Sequence, residues 1–170
     1  MAIKGYLPLD SVYAYSPLPA QLTPDEQRYI IGVQANIWGE YIQTPQYFEY
    51  MAFPRLLAMS EVQWTAPERK EFTDFARRLD AHFPRLEANG IDACRDFYQP
   101  RMEGIWNAEK QQFEVHLSSL CPDVEIRYAL GDSLLTASSP LYRSPIVLTE
   151  ELPVYAALFR KGEKLNGEKQ

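Results

Sequence analysis

The stretch Tyr29-Ile30-Ile31-Gly32-Val33-Gln34-Ala35-Asn36-Ile37-Trp38-Gly39-Glu40-Tyr41 decides how this chain is read. Its apolar run predicts a strand over residues 30–38. Residues two apart on a strand share a face. Val33, Ala35 and Ile37 then form one face. Gln34, Asn36, Trp38 and, just past the end, Glu40 form the other. In a parallel (β/α) barrel the apolar face packs on helices, and polar residues near the C-terminal end of a strand line a site. An indole and a carboxylate at that end can grip a sugar ring, one by stacking and one by hydrogen bonding.

Working outward, Thr44-Pro45 opens a helix over 45–63, with Thr44 as cap and Pro45 at the first position. Pro54 inside it is expected to kink it or disturb a turn. Thr65-Ala66-Pro67-Glu68 opens a second helix over roughly 68–88. Its stripe is Phe72, Phe75, Leu79, Phe83 and Leu86, and it stops at Asn89-Gly90. Pro84 is a second local conflict. Residues 1–28, punctuated by Pro8, Pro17, Pro19 and Pro24, read as an irregular lead, with a single helical turn at Thr23-Pro24-Asp25-Glu26.

Past about residue 100 the helical period gives way to short alternating runs. They lie at 113–117, 124–128 and 154–159, separated by turn clusters such as Gly131-Asp132-Ser133. These predict a small antiparallel β domain, with the boundary near 96–103. The charged residues 161–170 are expected to form a frayed terminus.

Composition excludes some functions. The 170 residues carry net charge -6 with no dense basic patch, so no nucleic-acid footprint is present. No run is long enough for a membrane span. Met1 to Pro8 shows no basic-then-apolar signal pattern. Cys94 and Cys121 form either one bridge or two free thiols. His82 and His116 lack ligand-spaced neighbours, so no metal and no cofactor is expected. Trp64 is expected to pack, Asn36 to back the site, and Glu61 to pair with an arginine, either Arg55 or one outside these residues.

The residues from Gly32 to Ile42 and from Tyr50 to Trp64, the in-helix Pro54 included, resemble the last strand and helix of glycoside hydrolase family 20. Tyr6-Leu7-Pro8-Leu9 and Val12 to Pro17 resemble the loop before that strand. Ile126 to Leu130 and Thr136 to Tyr142 are similar to a small β-sandwich appended to many such enzymes. There the usual Asp-Gly-Ser turn is replaced by Gly131-Asp132-Ser133.

The resemblance implies an α/β plus all-β fold: residues 1–98 as the C-terminal part of a (β/α)8 TIM barrel, and 99–170 as a small antiparallel β-sandwich. It implies a β-N-acetylhexosaminidase parent that removes terminal N-acetylhexosamine from glycans by a substrate-assisted mechanism. Trp38 and Glu40 match substrate-binding positions: Trp38 lines the terminal-sugar pocket, and Glu40 accepts hydrogen bonds from O4 and O6. The family's adjacent Asp-Glu pair belongs to an earlier strand. Asp25-Glu26 is the only such dipeptide here and sits in a proline-flanked loop. No catalytic residue is therefore assigned. The chain alone is expected to be inactive, with the N-terminal part of the barrel as its missing partner, and the parent is expected to be exported. A closed barrel takes about 250 residues. The alternative is a non-catalytic accessory or interaction module with a β-sandwich domain.

Overall fold

The computed structural model describes residues 7–165 and combines helices with antiparallel sheets. It divides into two compact units, Met1–Cys94 and Arg95–Gln170. Residues 1–6, which include the start of the motif at Tyr6, and 166–170, most of the expected frayed tail, lie outside the described residues.

The first unit is helical. The lead is more ordered than its prolines suggest. It holds α1 (Leu9–Ala14) and the short α2 (Pro24–Gln27). On α1, Leu9 and Tyr13 are buried at i and i+4, the spacing that puts two side chains on one helix face. On α2, Thr23 and Glu26 form a capping box. The Thr23 hydroxyl accepts from the Glu26 amide, and the Glu26 carboxylate accepts from the Thr23 amide at 2.8 Å.

The expected helix over 45–63 is two helices, α3 (Pro45–Ala52) and α4 (Arg55–Trp64). Pro54 has no amide hydrogen to continue the ladder, so the first helix ends before it. Arg55 then donates to the carbonyls of Tyr50 (3.1 Å) and Met51 (3.2 Å) at the open end of α3, and to Leu7 O at 2.7 Å.

The last helix, α5 (Phe72–Ala88), starts later than the sequence suggests, because Glu71 is its cap. The Glu71 carboxylate accepts from the amides of Thr73 and Asp74. Phe75, Ala76, Leu79, Phe83 and Leu86 form its buried face. Gly90, at φ 71°, closes it in the left-handed conformation that glycine adopts without penalty. Tyr13 joins this face, its ring centroid 4.9 Å from Phe75 and 5.3 Å from Phe72.

The predicted strand over 30–38 does not form. Among the described residues no backbone ladder pairs with it, and Ile31 is 99% exposed. The reason is cooperative. A strand's amides and carbonyls need neighbouring strands, and unit 1 supplies none. The segment runs extended over solvent, tied to α4 by Gln63, whose Nε2 donates to Val33 O at 3.0 Å.

The second unit holds two three-stranded antiparallel sheets. One has the order β1 (Arg101–Asn107), β2 (Gln112–Ser118), β4 (Ile146–Leu148). The other has the order β3 (Glu125–Leu130), β5 (Val154–Arg160), β6 (Glu163–Lys164). The three anticipated runs correspond to β2, β3 and β5. Strand β1 escaped notice because Gly104 interrupts its alternation, and β6 places part of the supposed frayed end in a sheet. Val115, Leu117 and Ile146 of the first sheet form a cluster with Ile126, Tyr128, Val154 and Ala156 of the second.

At the unusual turn Gly131 has φ 75°, and Asp132 Oδ1 accepts from Leu134 N at 2.9 Å. The glycine comes first because it takes the left-handed position, and the aspartate follows to close an Asx turn. Cys94 and Cys121 are both buried and neither is in a disulfide.

Candidate functional site

Trp38 is the last extended residue before a 3₁₀ turn, Gly39–Tyr41, with φ −91° and ψ 114°. The turn is closed by Ile42 N donating to Gly39 O at 3.1 Å. Strand alternation therefore stops at Trp38, and Glu40 is set by the turn rather than by a pleat. Thr44 follows at once, its hydroxyl accepting from Tyr47 N at 3.1 Å to start α3. The site segment is thus held by a cap on one side and by the Gln63 bond to Val33 on the other.

Trp38 is 63% exposed and Glu40 is exposed beside it in sequence. An indole presented to solvent next to a carboxylate offers a flat apolar face and a two-oxygen acceptor. That pairing suits a polyol, which stacks C–H faces and donates hydroxyl protons. Asn36 accepts from Gln34 Nε2 at 3.3 Å, so two polar side chains of the segment engage each other.

Other candidates sort differently. Glu26 is committed to its capping box. The Thr23 amide and then the Thr23 hydroxyl hold its carboxyl below the usual range. With Glu26 held in this cap, no catalytic role is assigned to Asp25-Glu26. Glu61 pairs not with Arg55 but with Arg78 of α5, Oε1 to Nη2 at 2.6 Å. Arg55 is instead engaged with the carbonyls around Pro54. Trp64 does not pack, being 88% exposed at the end of α4. His116 Nε2 lies 3.4 Å from Glu114 Oε2. No group of three or more His, Cys, Asp and Glu side chains among the described residues is arranged to hold a metal ion. No helix among them is long and apolar enough to cross a membrane.

Sequence reasoning missed Gln63. It lies thirty positions from Val33, and nothing in its local pattern marks it as the tether of the site segment.

Residues 1–67 match the family model described as glycosyl hydrolase family 20, catalytic domain. Over 92 residues the chain is 51% identical to a beta-hexosaminidase of Porphyromonas gingivalis, covering 54% of this chain and 12% of that protein. Over 90 residues it is 35% identical to a beta-N-acetylhexosaminidase of Cellulomonas fimi, covering 51% and 17% respectively. Among solved structures, the GH20 exo beta-N-acetylglucosaminidase of Vibrio harveyi in complex with N-acetylglucosamine matches 51% of this chain and 14% of its own, at 39% identity and TM-score 0.47. The chain thus spans less than a fifth of the curated relatives it matches.

Proposed function

We propose that this chain, which belongs to glycoside hydrolase family 20 through its residues 1–67, supplies one wall of the terminal-sugar pocket of a β-N-acetylhexosaminidase. Trp38 stacks on the apolar face of a terminal N-acetylhexosamine, and Glu40 accepts hydrogen bonds from its ring hydroxyls. The observation that carries this reading is the exposed Trp38 at the mouth of the Gly39–Tyr41 turn, inside the matched segment. The exposed extended segment 30–38 is read as a barrel strand awaiting its neighbours, with α3 and α4 as the following helix. The two sheets of residues 95–170 are read as an appended β-sandwich.

In this reading these residues bind and orient; they do not transfer protons. Glu40 orients the sugar by its hydroxyls, and Trp38 excludes water from one face. The carboxylate pair of a substrate-assisted mechanism lies elsewhere on a family 20 barrel. The 170 residues alone are accordingly inactive.

The test is a chimera. Residues 29–64 replace the aligned segment of the Porphyromonas gingivalis enzyme, and hydrolysis of a chromogenic N-acetylglucosaminide is followed. The chimera is expected to be active, and Trp38→Ala or Glu40→Gln within it to lower kcat/KM at least tenfold, equivalent to about 1.4 kcal/mol or more of transition-state stabilisation, with unchanged melting. A folded chimera that is inactive, or one indifferent to both substitutions, overturns the reading. So does hydrolysis by the unmodified chain that Glu40→Gln abolishes.

A further inference from the structure

Both ends of the segment that carries Trp38 and Glu40 are tied to one helix, α4. Arg55, its first residue, donates to the carbonyls of Tyr50 and Met51 at the end of α3. Helix α3 begins at Pro45, just past the Gly39–Tyr41 turn. The exit side of the segment is therefore fixed to α4 through a helix. On the entry side Gln63, near the other end of α4, donates Nε2 to Val33 O at 3.0 Å. At 1.5 Å rise per residue the two anchors stand about 12 Å apart along the helix axis.

Packing does not restrain the stretch between them. Residues 34–41 are all exposed, bracketed by the half-buried Val33 and Ile42. Among the described residues, Gln63 makes the only hydrogen bond that reaches residues 31–37 from elsewhere in the chain; the bond from Gln34 to Asn36 is internal. Extended residues without partners keep their backbone freedom, so an anchor at one end narrows the positions open to the other.

The bond also sets direction. Side chains alternate along an extended chain at fixed angles to the carbonyls. Holding Val33 O towards α4 therefore fixes the roll of the segment, and with it the side on which Trp38 stands. A carbonyl oxygen has two lone pairs, so the bond is compatible with Val33 also joining a strand ladder.

Gln63 has little else to do. It is exposed, and its neighbour Val62 is the residue buried in the helix packing. A helix position of this kind accepts any straight-chain residue at similar cost.

We propose that Gln63 is a positioning residue for the sugar site, acting through Val33 O on the segment that presents Trp38 and Glu40. The inference rests on the reading of those two side chains as the pocket wall. A wall that is correctly placed for only a fraction of the time weakens apparent affinity by that fraction and leaves the following step unchanged.

Kinetics of the chimera carrying residues 29–64, on a chromogenic N-acetylglucosaminide, test this. Gln63→Met keeps the length and removes the donor, whereas Gln63→Lys keeps a donor. Gln63→Met is expected to raise KM about threefold or more, with kcat and melting unchanged. Gln63→Lys is expected to retain the original KM. In the Trp38→Ala/Glu40→Gln chimera, Gln63→Met is expected to leave kcat/KM where it is, because its effect passes through those side chains. In the full 170-residue chain, Gln63→Met is expected to lower the amide order parameters of residues 34–38 and not those of α5. An unaltered KM in Gln63→Met overturns the proposal, as does an equal effect of Gln63→Lys or a persistent effect in the doubly substituted chimera. A fall in melting that accounts for the lost activity makes Gln63 structural and also overturns it. Silent Trp38→Ala and Glu40→Gln sink the wall reading; if they are effective and Gln63→Met is silent, the positioning role alone falls.

Discussion

Arg78 of α5 grips Glu61 of α4 with two prongs, Nη2 to Oε1 at 2.6 Å and Nη1 to Oε2 at 3.1 Å. A third bond runs from Arg78 Nε to Asp74 at 2.9 Å. The pair joins the helix that follows the site segment to the helix that covers the core. Its hydrogen bonds, that to Glu61 foremost, hold the guanidinium above its ordinary pKa, so it stays charged at any working pH.

Removing the two partners has unequal effects. The Glu61 side chain is 13% exposed and that of Arg78 52%. Arg78→Met strands a mostly buried carboxylate and is expected to cost about 1–2 kcal/mol, the lower end after screening at the exposed arginine. Glu61→Gln leaves Arg78 its bond to Asp74 and is expected to cost about half that. Urea melts of both variants check the order; a costlier Glu61→Gln would contradict it.

Acid sensitivity of the β hairpin is expected to pass through Glu114. Its buried carboxylate accepts from Gln112 Nε2 at 2.6 Å and Asn107 Nδ2 at 3.0 Å, with Lys110 Nζ at 3.4 Å. The Gln112 bond leads in holding its pKa below the ordinary value, against an opposing contribution from burial. A depressed folded value adds stability that is complete above the unfolded pKa of about 4.3. That contribution fades as pH falls through the lower folded value. Glu114→Gln is therefore expected to be less stable than wild type near neutrality and to converge with it below about pH 4.3. Urea midpoints across that range decide; a gap that widens on acidification would refute the assignment.

Gly104→Ala separates stability from surface shape. The added methyl collides with the far end of Phe113, whose half-exposed ring has room to swing. Stability is expected to change by less than about 1 kcal/mol. The amide and ring shifts of Phe113 and Trp106 are expected to move clearly. Unchanged ring resonances would show that the tip of the ring does not meet Gly104.

The second unit is expected to depend on Leu158. It is 0% exposed in β5, beside Phe159 at 2%. Leu158→Ala removes a packed side chain and is expected to cost about 2–5 kcal/mol. A loss below about 1 kcal/mol in chemical denaturation would mean that β5 does not anchor this core.

Much of the local structure was legible because its causes are local. Thr44 and Pro45 start α3, Gly90 stops α5, and the stripe from Phe75 to Leu86 is its buried face; each rests on a cap, a backbone preference or a helical period. Pro54 divides one predicted helix into two through its own missing amide. The motif around Trp38 and Glu40 carried the resemblance to glycoside hydrolase family 20, whose catalytic-domain model matches residues 1–67. The segment 30–38 forms no ladder among the described residues, because a strand's amides and carbonyls need partners from other parts of a chain, which no alternation of side chains supplies.

By itself, then, the sequence determined what depends on neighbours along the chain: the caps, the helical stripes, the glycine stop and the Trp38–Glu40 signature. Tertiary structure alone decided the partners: Arg78 rather than Arg55 for Glu61, Gln63 for Val33, and the register that sets Trp106 opposite Phe113 and Phe113 opposite Leu148. Those pairings join residues far apart in the chain. Their free energy exists only after loops have closed and strands have registered, and local composition carries no record of either event.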